Sequence, residues 1–360
     1  MPRGLNLYIN LKAVIENYRT INKHLKSGRS GAAVKANAYG LGAIEISRVL
    51  YQEGCRDFFV ARLEEGVELA KNLPSSAGIY VLEGVTSAAH ARICQENNLI
   101  PVLNSLSHIK TYASVDGPLP CVLHFDTGMN RLGLTGTETD KIINAPALLS
   151  ALSIHAIMTH PVAADDRKDH FTATQFEKFA KIRAAFPHIP ASFCNSAALF
   201  THNDYHLDLA RPGYALYGGN PFLNDTAPIK NVVHLDAPIL QIQKVNKNQS
   251  IGYGRSYYAQ NKCTIAAVGI GYADGLMRSL GNKGYVYVHG HKCAIRGRVS
   301  MDIITIDITD IDSPVFVGDK AEILGPNQNI DDLARHAGTI GYELLTTLGN
   351  SCKKCYSETY

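Results

Sequence analysis

Gly31-Ala32-Ala33-Val34-Lys35-Ala36-Asn37-Ala38-Tyr39-Gly40-Leu41-Gly42 joins a short apolar run to a glycine-marked turn, and the segment behind it, Ala43 to Glu53, carries apolar residues at three- and four-residue spacing. An apolar run bounded by turn residues predicts a buried strand, and the spacing behind it predicts a helix packed on that strand. The unit recurs along the chain. Candidate strands are Ala32 to Ala36, Asp57 to Ala61, Gly78 to Leu82, Leu99 to Asn104, Pro120 to Asp126, Leu152 to Thr159, Ala191 to Asn195 and Leu207 to Arg211. Between them, Leu63 to Lys71, Ser87 to Glu96 and Phe171 to Ala185 repeat the helical spacing with charges on the other face. Eight strands alternating with helices predict an α/β fold whose N-terminal domain, residues 1–230, is a (β/α)8 barrel of the TIM type.

Beyond Pro221 the texture changes. Apolar and polar residues alternate at period two, as at Val286 and Val288 and from Ile303 to Ile308, which predicts antiparallel sheet. A C-terminal, mainly β domain is therefore expected over residues 231–360, with one helix from Asn329 to Ala337. No repeat of solenoid period and no low-complexity linker separates the two domains.

Composition narrows the function. The chain has 360 residues, 46% hydrophobic and 19% charged, enough apolar material for one or two large cores. A net charge of +3 with Lys and Arg scattered among Asp and Glu gives no basic stripe, so no nucleic-acid partner is expected. No apolar stretch approaches membrane-spanning length and the N-terminus lacks the apolar run of a secretion signal, which points to no membrane partner and to the cytoplasm. The eight cysteines stand singly in a large chain and read as reduced thiols. Cys352-x-x-Cys355 has metal-ligand spacing without a second pair, so no metal is expected.

Barrel enzymes carry their chemistry at the C-terminal ends of the strands. Lys35 ends the first strand, Asp126-Thr127-Gly128-Met129-Asn130-Arg131 follows the fifth, His160 follows the sixth, Asn195-Ser196 ends the seventh and Arg211-Pro212-Gly213-Tyr214 ends the eighth. Lys35 alone reads as an outward strand lysine whose stem snorkels to water. Its neighbours favour chemistry. A phosphate cradle commonly forms after strands seven and eight of such barrels, where Ser196 and the backbone of Gly213 and Tyr214 supply donors, and desolvation would lower the pKa of a lysine facing it. Arg211 is open to two readings, a structural ion pair or a group facing a bound ring, and His160 alone reads as a core histidine.

At these residues the sequence resembles the alanine racemase family. The resemblance runs nearly end to end, through Asp126-Thr127-Gly128-Met129-Asn130-Arg131-Leu132-Gly133, Met158-Thr159-His160, Asn195-Ser196-Ala197, Arg211-Pro212-Gly213-Tyr214-Ala215-Leu216-Tyr217-Gly218, Gly252-Tyr253-Gly254, Gly269-Ile270-Gly271-Tyr272-Ala273-Asp274-Gly275 and Gly297-Arg298-Val299-Ser300-Met301-Asp302. It implies a pyridoxal 5'-phosphate enzyme that interconverts L-alanine and D-alanine by a two-base mechanism, supplying D-alanine for peptidoglycan or serving alanine catabolism. It further implies a homodimer with shared active sites. By similarity Lys35 carries the cofactor as a Schiff base and is one catalytic base, while Tyr253 of the partner subunit is the other. Tyr39, Asn195, Ser196, Gly213, Tyr214 and Tyr342 match cofactor-binding positions, and Arg211, bonded by His160, matches the residue facing the pyridine nitrogen. Arg131 and Met301 match substrate-binding positions, and Asp165, Tyr272, Arg278, Arg298 and Ile340 match the access corridor.

Two features depart from the family. Many members have a carbamylated lysine seven residues before the arginine that matches Arg131, and here His124 stands there, so a bound chloride or a histidine hydrogen bond is expected to orient Arg131 instead. The tail from Cys352 to Tyr360 lacks a basic ending. The competing readings are a racemase for serine, a barrel-fold decarboxylase, whose Gly-rich phosphate loop is not found in this sequence, and a non-enzymatic cofactor-binding protein, which would not need the second domain.

Overall fold

The computed structural model describes residues 3–117 and 119–357, so readings that touch the first two and last three residues lie outside the described residues. Strand β1 (Arg3–Asn10) leads into the helix Leu11–His24, whose Ala13 N–H donates to Asn10 Oδ1 at 2.9 Å. The barrel follows as a first strand interrupted at Gly31, β2 (Arg29–Ser30) and β3 (Ala32–Ala33), then β4 (Asp57–Val60), β5 (Gly78–Val81), β6 (Leu99–Leu103), β7 (Pro120–His124), β8 (Ser153–Met158), β9 (Ala191–Ser192) and β10 (Leu209–Ala210). Strands β3 to β9 form one parallel sheet in sequence order, and β2 pairs with β10. Backbone bonds complete the ring. Asp208 and Arg211 N–H groups donate to Ala191 and Cys194 at 3.0 and 2.9 Å, and Gly31 and Ala33 donate to Ala210 and Pro212 at 2.9 and 2.8 Å.

Both faces of these strands are covered, which is why β6 reads as an unbroken apolar run and β4 is apolar after its first residue, Asp57. Ala33, Phe59, Tyr80, Ile100, Val102, Val122, Ala156, Met158 and Leu209 fill the barrel's interior. Its N-terminal end is stapled by buried Asp57, which accepts from Arg29 at 2.6 and 3.1 Å and from the Tyr80 hydroxyl at 2.8 Å. The opposite end is left for chemistry.

The second domain contains β11 (Val233–Val245), β12 (Ser250–Ile251), β13 (Tyr257–Tyr258), β14 (Cys263–Val268), β15 (Tyr285–Val288), β16 (His291–Ala294), β17 (Ile304–Asp307), β18 (Lys320–Leu324) and β19 (Cys352–Ser357). From Val233 to Ile239 every second residue is buried, as expected of a sheet with one wet face. Pairings run β11-β18-β15-β16, cross to β17 by the Ile295–Ile306 bridge, and return through β14 to β11, closing a small antiparallel barrel. The chain's first strand, β1, pairs with β11 and β19 and so belongs to this second sheet, although the sequence pattern places it with the first domain.

Helix Ile330–Ala337 is capped by Asn329, as the sequence indicates. Helix Gly341–Ser351 is not legible in the pattern, because its glycines and threonines are poor helix formers. Packing requires one of those glycines: a Cβ on Gly349 would collide with the carbonyl of Gly40, so this helix backs directly onto the turn that follows Lys35. Cys352 and Cys355 are free thiols on β19, three residues apart on a strand and hence directed to opposite faces, which is wrong for a shared metal. Among the described residues, no helix is long and apolar enough to cross a membrane.

Candidate active site

The C-terminal ends of the barrel strands open into a cleft of about 1180 Å³. Lys35 enters it from an unusual backbone. Strand β3 stops at Ala33, shorter than the sequence suggests, and Ala36, Asn37, Ala38 and Tyr39 all take left-handed φ of 52 to 56°. Each such residue costs on the order of 1 kcal/mol, so four in succession require compensation. Glu65 Oε1 accepts from the Ala36 N–H at 2.6 Å, and Asn37 Oδ1 accepts from Ala43 N–H at 2.8 Å. The turn holds half-buried Lys35 at the rim of the barrel's interior and swings Tyr39 into the floor. Glu65 carries no sequence signal for this duty, since a glutamate in the first turn of a helix reads as an end charge.

The residues expected to make a cradle after strands seven and eight lie together. Ser196 Oγ accepts from the N–H groups of Gly213 at 3.0 Å and Ala215 at 3.2 Å, and Asn195 caps the short Ser196–Leu199 helix through Ala197 and Ala198 N–H at 3.1 and 2.9 Å. A Cβ on Gly213 would collide with the Tyr39 hydroxyl, so only glycine lets that hydroxyl approach the cradle. Hydroxyls and backbone N–H groups gathered at a helix N-terminus suit a phosphate dianion. Tyr214 contributes backbone only, because its side chain turns away to donate to Asp331 Oδ1 at 2.6 Å.

Arg211 is 7% exposed and pinned from two sides. One guanidinium nitrogen donates to Thr159 O at 2.6 Å and lies 3.4 Å from His160 Nδ1, and the other donates to Ser192 Oγ. Among the described residues no carboxylate pairs with it, so the ion-pair reading finds no partner there. Burial draws Arg211 down to about 10, still far above neutrality. Burial first, then the charges of Arg211 and Lys35, push His160 well below the usual histidine range, so it is neutral and accepts at Nδ1. Buried Gln175, which the sequence pattern hides within a helix, steadies this corner by donating to His160 O at 3.1 Å and Thr127 Oγ1 at 3.2 Å and accepting from Val162 N–H at 2.9 Å.

Lys35 is shifted down from the ordinary lysine value, by burial first and by Arg131 next. Arg131 lines the same cleft, and among the described residues no hydrogen bond or carboxylate holds it. Nearby Asp126 is engaged elsewhere, accepting from the N–H groups of Gly128, Met129 and Asn130 at 2.8, 2.9 and 3.1 Å. His124 bonds Asn104 Oδ1 at 2.7 Å, not Arg131, which corrects the expectation of a histidine hydrogen bond to that arginine. Asn104 donates its amide to Leu82 and Val102 carbonyls, so its oxygen must accept and His124 Nδ1 must carry the proton. Burial and the Arg211 charge hold His124 down to about 3, and it is neutral.

Asp165, Ile340 and Tyr342 line the outer part of the cleft. Tyr253, Tyr272, Arg278, Arg298 and Met301 do not line it. They lie on the second domain, all exposed, with Tyr253 at 74% and Met301 at 49%. Local bonds join parts of this group: Tyr272 and Ala273 N–H donate to Ser300 and Met301 carbonyls at 3.1 and 3.0 Å, and the Arg298 guanidinium packs over Gly254, next to Tyr253. The candidate residues of this chain thus fall into two separate groups. One has a lysine, two arginines and a phosphate cradle; the other is an exposed patch of tyrosine, methionine and arginine.

Comparison with known proteins follows the same division. The alanine racemase N-terminal domain family matches residues 9–221 and the C-terminal domain family residues 232–356. An alanine racemase of Rickettsia canadensis (strain McKiel) is 42% identical over 98% of this chain and 98% of that protein. Among solved structures, the alanine racemase from Bartonella henselae with covalently bound pyridoxal phosphate is 38% identical with a TM-score of 0.94, covering 99% of this chain and 100% of that one. The biosynthetic alanine racemase from Pseudomonas aeruginosa is 32% identical with a TM-score of 0.93, covering 99% of each chain.

Proposed function

The chain belongs to the alanine racemase family, and on that premise we infer that it interconverts L-alanine and D-alanine with pyridoxal phosphate held on Lys35. The observation that carries the reading is the meeting, in one cleft, of a lysine with a depressed pKa, the Ser196–Gly213 cradle and the carboxylate-free cation Arg211. The donor set fits the cofactor: neutral N–H and hydroxyl donors at a helix start for the phosphate, a guanidinium for the ring nitrogen, and an amine for the aldehyde. When bound, pyridoxal phosphate supplies an electron sink that makes the Cα proton of an amino acid removable.

The chain's own residues do the rest. Lys35 Nζ, eased toward its neutral form by burial and by Arg131, takes or returns the Cα proton on one face. Tyr253 Oη of the partner subunit does so on the other, because inversion at carbon needs a base on each side. Arg131, with no protein anion to satisfy it, takes the substrate carboxylate, and the Met301 backbone of the partner subunit helps to hold it. Arg211 stays protonated and so lends charge to the ring nitrogen without surrendering a proton, which keeps the sink moderate. His160 and Asn195 fix Arg211 and the cradle.

The exposed second patch supports a homodimer in which each subunit completes its partner's cleft, with Asp165, Tyr272, Arg278, Arg298 and Ile340 along the approach and Tyr39, Tyr214 and Tyr342 around the cofactor. In this reading residues 1–230 form the cofactor domain and 231–360 the domain that reaches the partner, with β1 the exception, and the enzyme works in the cytoplasm, where eight unpaired thiols are at home. Incubating purified holoenzyme with L-alanine or D-alanine and following the enantiomers by chiral chromatography tests it. Approach to equal amounts from either side is expected. Loss of carbon dioxide, or inversion of serine in preference to alanine, would refute it.

A further inference from the structure

Asp331 belongs to the second domain, yet its carboxylate reaches the barrel. Tyr214 Oη donates to Asp331 Oδ1 at 2.6 Å and the Asn220 N–H donates to Oδ2 at 2.8 Å, so both oxygens are satisfied by the loop that follows the eighth barrel strand. A half-buried carboxylate without such donors would be costly, and a carboxylate so bonded has one orientation. The Tyr214 ring that it anchors lies face to face with Tyr342, centroids 3.8 Å apart and planes 13° from parallel. Beyond Tyr342 stands Tyr39, with centroids 5.9 Å apart. Tyr214 is 2% exposed and so close to Gly219 and Gly341 that a Cβ on either would collide with it. Tyr342, by contrast, is 38% exposed into the cleft, and of its two neighbouring rings Tyr214 is the closer.

We propose that Asp331 is a positioning residue which, through Tyr214, fixes the Tyr342 ring at the cleft mouth and thereby sets the size of amino-acid side chain admitted. The proposal rests on the racemase reading given above and adds a residue to it. Without the carboxylate, the Tyr214 ring loses the bond that sets its tilt, Tyr342 loses a fixed stacking partner, and the wall that Tyr342 gives the cleft loosens. One extra hydroxyl is weakly discriminated by pocket shape alone, so a preference for alanine over serine depends on how rigid that wall is.

The test uses the holoenzyme and its Tyr214→Phe, Asp331→Ala, Asp331→Asn and double Tyr214→Phe/Asp331→Ala variants, with kcat and KM measured for alanine and for serine. Each of Tyr214→Phe and Asp331→Ala is expected to raise the serine-to-alanine ratio of kcat/KM by about tenfold, the scale of one hydrogen bond to a charged group, chiefly through KM. The double variant should match Asp331→Ala, because that change already breaks the bond that Tyr214→Phe removes, and Asp331→Asn, whose amide oxygen still accepts from Tyr214, should recover part of the preference. If Asp331→Ala fails to fold, the Tyr214→Phe and Asp331→Asn pair carries the same comparison. An unchanged ratio, or effects that multiply in the double variant, would overturn the proposal. Wild-type protein that does not racemise alanine would overturn the underlying reading, and this proposal with it.

Discussion

Arg211 donates to the backbone carbonyl of Thr159 at 2.6 Å, which ties the buried cation of the cleft to the end of the sixth barrel strand. The bond matters because a second guanidinium nitrogen is committed to Ser192 at the same time. A planar fork serves both partners; an ammonium cannot. Arg211→Lys is therefore expected to lower kcat by about 10- to 100-fold while the protein still folds. Initial rates and thermal melts of the purified variant read this, and near wild-type turnover would show that the fork is dispensable.

The cradle depends on a missing side chain. Because a Cβ at Gly213 would collide with the Tyr39 hydroxyl, Gly213→Ala must displace either Tyr39 or the loop whose N–H groups meet Ser196. Overpacking of this kind costs about 1–3 kcal/mol, which corresponds to roughly tenfold or more in cofactor affinity when the displaced groups are its ligands. Titration of the apoprotein with pyridoxal phosphate, followed by visible absorbance, measures the change.

Arg131 depresses the Lys35 pKa through its charge, second only to burial. Removing it in Arg131→Gln returns Lys35 toward the free value of about 10.4. Cofactor uptake needs the neutral amine, so its rate rises with pH through the Lys35 pKa, and the variant's profile should lie at higher pH than the wild type's. His124, held down to about 3, adds no inflection near neutrality. Coincident profiles would mean that the two cations do not interact.

Much of this arrangement is legible in the chain. Barrel strands such as β4 and β6 announce themselves as mostly apolar runs because both of their faces are buried, and the polar residues at the strand ends stand out against that background. What pattern does not reveal is tertiary. Strand β1 alternates like its neighbours in the second sheet, but its partners β11 and β19 are more than 200 residues away. The left-handed turn at Ala36 to Tyr39 has no glycine to betray it, and it exists because Glu65, nearly thirty residues on, holds the Ala36 N–H. Gln175 and Asp331 look like helix-surface residues until the packing turns them inward.

The proposed division of Lys35 and Tyr253 between subunits makes a quantitative prediction. Lys35→Ala and Tyr253→Phe proteins are each expected to be nearly inactive, but unfolded together and refolded as a mixture they should regain activity. Half of randomly paired dimers are mixed and one of their two sites is intact, so recovery approaches about one quarter of wild type. No recovery from a mixture shown to contain hybrid dimers would place both residues in the same subunit's site.

The role proposed for Lys35, as the residue that carries the cofactor, underlies every other assignment in the cleft. Borohydride reduction of the holoenzyme fixes the cofactor to whichever amine holds it, and peptide mass spectrometry then identifies that amine. The predicted result is the added mass on the peptide that contains Lys35, in near-stoichiometric yield and absent from Lys35→Ala. Modification of a different lysine, or none while racemisation proceeds, would contradict the account.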